Sequence, residues 1–225
     1  MKLLAYDTSS PILSMALFVG SGKIAEVHDP PSEKHSSSLL PGLARILESH
    51  RMSFKDMDCF AVGLGPGSFT GLRVGLAAAK MLAHSLKKKL IGVSSLEAMA
   101  LEADDYPGQI AVVRDAKKGK VYAAFYRRKK GVLMTARSPQ LTTMDEILSS
   151  IKTHTLFLGD ATPAYKQSLS AHPLCETAPE GLGFFPKAGC LGEIALGLAK
   201  KNKFADPFRL QPQYLYARDC SVTKK

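Results

Sequence analysis

Gly63-Leu64-Gly65-Pro66-Gly67-Ser68-Phe69-Thr70-Gly71-Leu72-Arg73-Val74-Gly75 joins an apolar strand, Cys59–Val62, to an apolar helix through a tight turn. Glycines at 65 and 67, with Pro66 between them, supply backbone angles that a side chain forbids, so the chain can reverse sharply there. Ser68 or Thr70 is expected to cap the helix. Such a strand, turn and helix N-terminus presents free N–H groups, which is how many phosphate loops begin. It is not a Walker loop, because no Gly-Lys-Ser/Thr follows, and it is not a clean dinucleotide fingerprint. Counted in fours, Gly71, Gly75, Ala79 and Ala83 form a stripe of small side chains, while Leu72, Leu76, Met81, Leu82 and Leu86 occupy other faces. A helix so apolar is covered on more than one side. It is either a central core helix or one that gives a side to another protein chain.

Working outward, 225 residues with 45% hydrophobic content make room for one large domain or two small ones with a real core. Met1–Tyr6 is apolar but Asp7 interrupts it, and no small-residue cleavage site follows, so no signal peptide is expected. No apolar run approaches bilayer-spanning length. Cys59, Cys175, Cys190 and Cys220 are scattered without C-x-x-C spacing, which predicts a soluble protein of the reducing cytoplasm rather than a disulfide framework or zinc site. The net charge of +10 is uneven. Residues 1–105 hold 11 basic and 11 acidic side chains, whereas 106–225 hold 19 and 9, so the whole excess lies in the second half. Clusters at Lys87–Lys89, Lys117/Lys118/Lys120, Arg127–Lys130 and Lys200/Lys201/Lys203 are either solvated surface or attractors of a phosphate backbone.

Leu3–Tyr6, Leu13–Val19 and Lys23–His28 read as an antiparallel meander. A helix follows from Ser36–Ser38 to about Arg51, with Pro41 tolerable only in its first turn. After the glycine turn and its helix come a strand at Leu90–Val93 and a helix from Ser94/Ser95 to about Ala103. Asp104-Asp105-Tyr106-Pro107-Gly108 marks a boundary, dividing the chain into 1–105 and 106–225. Beyond it, Ala111–Phe125 repeats the opening of the chain at a shift of 108, laying Asp115 on Asp7 and Val121 on Leu13. Val132–Met134 completes a second meander, Met144–Ser150 is a short helix, and Thr155–Leu158 is a strand. Pro163–Ser168 and Lys187–Lys201 are expected to be helical, Pro173–Pro186 to be loop, and Asp206–Arg218 to be an extended tail lying on another surface.

Two like modules opening with strand, acidic turn and strand suggest an architecture that clamps a nucleotide between its halves. Asp7 and Asp115 would face each other across the cleft, and Thr8, Ser9 and the turn N–H groups would hydrogen-bond phosphate oxygens. Asp7 is equally well read as a turn-former at a strand end.

The glycine turn, Leu4-Ala5-Tyr6-Asp7-Thr8-Ser9, His35-Ser36-Ser37-Ser38-Leu39-Leu40-Pro41, Gly92-Val93-Ser94-Ser95-Leu96-Glu97-Ala98, Asp115-Ala116 with Gly119 to Tyr122, and Leu158-Gly159-Asp160 together resemble the TsaB (YeaZ) family. The match runs in order along nearly the whole chain. It implies an α/β, duplicated actin-like (ASKHA, ribonuclease H-like) fold, with two subdomains each holding a mixed sheet flanked by helices. It also implies a bacterial cytoplasmic protein serving threonylcarbamoylation of the tRNA adenosine beside the anticodon, with a TsaD-type catalytic subunit and a TsaE-type ATPase as partners. The catalytic relative carries His-Met-Glu-Gly-His where this chain reads Ser95-Leu96-Glu97-Ala98-Met99, so both metal-holding histidines are missing. The resemblance therefore implies a pseudo-enzyme subunit with no catalytic or metal residues. Asp7, Thr8, Gly65, Gly67 and Ser68 are expected as vestigial phosphate loops, with ATP or ADP entering only at the level of the complex. Asp160 after Gly159, where a second glycine is usual, argues against a tight independent ATP site.

On this reading the neutral first half supplies the docking surface. Leu39, Leu43, Ile46 and Leu47 of the first helix, with Leu72, Leu76 and Ala79 of the second, are the expected interface, which would pair with itself in a homodimer when the partner is absent. The basic second half is expected to contact tRNA. The alternative is an independent nucleotide hydrolase or glycoprotease-like peptidase.

Overall fold

The computed structural model describes residues 1–30, 35–103 and 105–216, so Cys220 and the end of the expected tail lie outside the described residues. Two five-stranded sheets carry the same plan. In the first, β1 (Lys2–Asp7) runs antiparallel to β2 (Leu13–Val19), which pairs with β3 (Gly22–Asp29); on its other side β1 runs parallel to β4 (Cys59–Gly63), and β4 to β5 (Lys89–Val93). In the second, β6 (Gln109–Asp115), β7 (Val121–Lys129), β8 (Val132–Thr142), β9 (Thr155–Leu158) and β10 (Cys175–Thr177) repeat every pairing and direction. The duplication expected from the sequence is therefore present in the topology. Its offset is not uniform: Asp7 pairs with Ser14, but Asp115 pairs with Val121, so the second hairpin turn is one residue shorter and the shift of 108 becomes 107 beyond it.

Alternation along the strands sorts side chains onto two buried faces. Leu4 and Tyr6 of β1 join a core with α1 (His35–Glu48) and α2 (Phe69–Ser85), while Leu3 and Ala5 face α6 (Ala188–Lys200). The second sheet packs Ala111, Val113 and Phe125 against α4 (Met144–Ser149) and α5 (Lys166–Ala171). Its other face packs Ile110, Val112 and Tyr126 against α3 (Ser95–Leu101). The inner helices are thus exchanged between the halves. α3 comes from the first and covers the second sheet, α6 comes from the second and covers the first, and the two touch. A cut at residue 105 does not describe this packing, because α6 needs the first sheet to bury Leu191 and Ala195.

Three details depart from the expectation. Pro41 stands in the second turn of α1, since the helix begins at His35. β8 reaches Thr142, far past Met134, because its partner β7 continues to offer a ladder. The stretch expected as loop contains β10, three residues held by parallel pairing to β9. The extended tail lies along the first half: Ala205 N–H donates to Leu90 O, Gln213 N–H to Leu64 O, and Leu210 packs on the core beside Gly92. Phe208 meets His84 and Tyr214 meets Phe69 on α2, and Tyr216 Oη then reaches Ala116 O at the second hairpin turn.

Candidate functional site

The turn between β1 and β2 meets the glycine turn where the two sheets adjoin. Asp7 is wholly buried; its Oδ1 accepts the Ser9 N–H at 2.7 Å and the Ser9 hydroxyl at 2.6 Å, and its Oδ2 accepts the Ser95 hydroxyl at 2.5 Å. Ser95 Oγ in turn accepts the Gly65 N–H at 3.0 Å. Thr8 Oγ1 donates to Gly71 O at 2.8 Å, and Ser9 O accepts the Ser68 N–H at 2.8 Å. Ser68 caps α2 through its hydroxyl and the Gly71 N–H. Asp7, Thr8, Gly65, Gly67 and Ser68, the five expected phosphate-loop residues, lie in these two adjoining turns.

Their polar atoms are spent on one another. The glycines serve close contact rather than an open cradle: a Cβ at Gly63 would lie 1.8 Å from Asp7 Oδ2, at Gly67 2.3 Å from Ser9 O, and at Gly71 2.0 Å from Thr8 O. The resemblance-implied nucleotide fits poorly here, because the Asp7 carboxylate and the N–H groups of Ser9, Gly65 and Ser68 that would meet phosphate or its metal are already paired inside the protein. Nor do Asp7 and Asp115 form a facing pair. Asp115 is half exposed and held by the Lys117 N–H and ammonium at 2.8 and 2.6 Å. The residue that enters the interface is its neighbour Arg114, 4% exposed, which reaches Ser9, Pro66 and Asp160. Sequence reading missed it. The available signal was a single charge closing the apolar run Ile110-Ala111-Val112-Val113.

The segment matching the relative's metal-holding histidines is absorbed into the structure. Ser95 serves Asp7, and Met99 is core beneath the second sheet. Among the described residues no group of three or more His, Cys, Asp or Glu converges as metal ligands do. Burial pushes the Cys59 and Cys190 thiols up to about 12, far from thiolate chemistry at neutral pH.

One line of residues mimics a hydrolase. Ser14 Oγ lies 3.0 Å from His28 Nδ1, and His28 Nε2 lies 3.8 Å from Glu26 Oε1. Ser14 is wholly buried, however, and its oxygen accepts the Ala188 N–H at 2.7 Å, while Glu26 accepts the Gly189 N–H at 2.8 Å. Both side chains satisfy the first turn of α6. Burial works against the Glu26 carboxylate, but hydrogen bonds from Lys23 and Gly189 outweigh it and hold the group below its ordinary range.

The expected interface residues need correction. All seven are buried, 6% exposed at most: Leu39, Leu43, Ile46, Leu47, Leu76 and Ala79 hold α1 and α2 onto the first sheet, and Leu72 packs beside Gly65 of the glycine turn. The opposite faces of the same helices are open. α1 presents Leu40 and Pro41, with Ala44 half-buried beside them, and α2 presents Ala77 and Met81, with Leu40 at 40% and Met81 at 45% exposure. The tail touches α2 at Phe69, Arg73 and His84 and leaves Ala77 and Met81 exposed.

Residues 29–200 match the family model of TsaD, tRNA N6-adenosine threonylcarbamoyltransferase. The chain is 33% identical over 222 residues to the tRNA threonylcarbamoyladenosine biosynthesis protein TsaB of Bacillus subtilis strain 168, covering 96% of this chain and 94% of that protein. It is 33% identical over 150 residues to TsaB of Escherichia coli K12, covering 66% and 64%. Among solved structures, YeaZ from Pseudomonas aeruginosa superposes with a TM-score of 0.81 at 23% identity, over 95% of this chain and 99% of that one. A second structure, described as an uncharacterized protein with similarity to peptidase YeaZ from Pseudomonas aeruginosa, gives 0.82 at 24%, over 96% and 99%. At such identities these likenesses establish the fold.

Proposed function

The chain belongs to the TsaB (YeaZ) family, and we propose that within tRNA threonylcarbamoyladenosine biosynthesis it acts as a non-catalytic scaffold that docks and activates a TsaD-type subunit. The observation that carries this reading is the pairing of a cleft whose carboxylate is held by its own side chains with two helices that leave Leu40, Pro41, Ala77 and Met81 exposed. Alanine and proline let another pair of helices approach closely, and the leucine and methionine supply buried area. A homologous subunit carries helices of its own in the corresponding place, so a four-helix contact follows naturally. The same face pairs two copies of this chain when the partner is absent. A TsaE-type ATPase supplies nucleotide turnover to the assembly, which works in the cytoplasm. No helix among the described residues is long and apolar enough to cross a membrane.

A second surface favours tRNA. Arg127, Arg128, Lys129 and Lys130 follow one another into the β7–β8 turn, at one end of the second sheet. Arg128 is half-buried and donates to Gly131 O, while the exposed Arg127, Lys129 and Lys130 attract a phosphodiester backbone and give an affinity that falls steeply with salt. The rival reading, an independent nucleotide hydrolase or peptidase, requires an accessible carboxylate or nucleophile, whereas Asp7 and Ser14 are sealed.

Reconstituting the tRNA modification from the catalytic subunit and the ATPase, with and without this chain, tests the proposal. Modification that needs the chain yet survives Asp7→Asn supports a scaffold. Modification lost in a folded Asp7→Asn variant that still binds the catalytic subunit supports an enzyme.

A further inference from the structure

The Arg114 guanidinium sits where four chain segments from both halves converge. Its Nη1 donates to Ser9 Oγ at 3.1 Å and to Pro66 O at 3.2 Å, its Nη2 to Ser9 O at 3.4 Å, and its Nε lies 3.5 Å from Asp160 Oδ2. Ser9 belongs to the β1–β2 turn, Pro66 to the glycine turn, Arg114 to β6 and Asp160 to the residues after β9. A buried arginine is costly unless its donors find acceptors, and here two carbonyls and a hydroxyl accept from the Nη groups while the Asp160 carboxylate balances the charge as an ion pair rather than a hydrogen bond to Nε. Room has been left for it. A Cβ at Gly67 would lie 3.0 Å from Nη1, so a side chain there would press on the guanidinium. Asp160 is itself fixed, because its Oδ1 accepts the Asp115 N–H at 2.9 Å.

We propose that Arg114 is a built-in ligand of the cleft, its guanidinium occupying the junction and latching the two halves together without any exchangeable bound group. A planar fork with several donors suits this role better than an ammonium, which cannot serve spread acceptors at once. The latch fixes the glycine turn from which α2 starts, and so the attitude of the first half relative to the second.

Hydrogen–deuterium exchange on the full chain tests it. Arg114→Ala should accelerate exchange about tenfold or more in three separate segments together, 8–11, 64–68 and 159–161, with α4 and β8 unchanged. Millimolar guanidinium chloride should restore protection where sodium chloride of equal ionic strength and urea do not, and Arg114→Lys should fall between. Faster exchange confined to β6, or spread evenly over the chain, or indifference to guanidinium, would overturn the proposal. If Arg114→Ala does not fold, Asp160→Asn keeps the guanidinium but loosens its anchor: faster exchange should then reach 8–11 and 64–68, and a change limited to 159–161 would overturn it. Protection of 8–11 and 64–68 in the unaltered chain by magnesium ATP would also contradict a cleft that is already filled.

Discussion

The Ser95 hydroxyl donates to Asp7 Oδ2 at 2.5 Å, joining residues 88 positions apart at the centre of the first half. A buried carboxylate deprived of a donor bears a desolvation penalty it previously offset. Ser95→Ala is expected to cost about 1–3 kcal/mol, read as a lower urea midpoint with an unchanged m-value. Placing histidine at 95 would break this pair and still lack the second ligand, since position 99 is a methionine packed in the core.

Glycines of the small-residue stripe separate by what surrounds them. Gly75→Ala puts a Cβ 2.2 Å from Thr8 Oγ1, and Gly71→Ala puts one 2.0 Å from the Thr8 backbone oxygen, which cannot rotate away. Gly71→Ala should therefore be the more damaging in thermal melts. Gly197 in α6 has nothing within 4 Å of its added Cβ, so Gly197→Ala should stabilise the chain by about 0.5–1 kcal/mol through helix propensity alone.

Two glutamates give opposite pH signatures. Glu26 is held below its ordinary value of 4.5, so its contribution is present above that value and lost as pH falls through the lower folded value. Glu97 is pushed above 4.5 by burial, so the folded state favours its neutral form and loses that contribution as pH rises through the raised value. In urea titrations, Glu26→Gln should flatten the acid limb of the stability curve, and Glu97→Gln should raise stability at neutral pH.

At the β7–β8 turn, replacing Arg127, Lys129 and Lys130 by glutamine should leave the melting temperature unchanged and reduce the salt dependence of tRNA binding. An unaltered dependence of log affinity on log salt would remove this hairpin from the tRNA surface.

Much of this structure was legible because local and global preferences agree. β2 and β9 begin and end where alternation and turn residues put them, and the strand–turn–helix at Gly63–Gly75 follows from its glycines. What remained hidden depended on contacts remote in sequence. Helical spacing marked Leu43 and Leu76 as apolar but could not say which apolar face meets the sheet, and the face expected outside is the one inside. The exchange of α3 and α6 between halves has no local signature, since each helix is equally amphipathic wherever it packs. Arg114 looked like one more charge in a basic half, because its acceptors come from residues 9, 66 and 160.

The scaffold reading is tested most directly by mixing Leu40→Asp, Met81→Glu double-variant chain with the TsaD-type catalytic subunit and measuring complex formation by light scattering after gel filtration. The substitutions fall on exposed positions, so the variant should stay folded, with stability within about 0.5 kcal/mol of the parent, and should elute as a monomer while the parent forms the heteromeric complex. A folded double variant that still binds the catalytic subunit with the parent's affinity would contradict docking through the outward faces of α1 and α2.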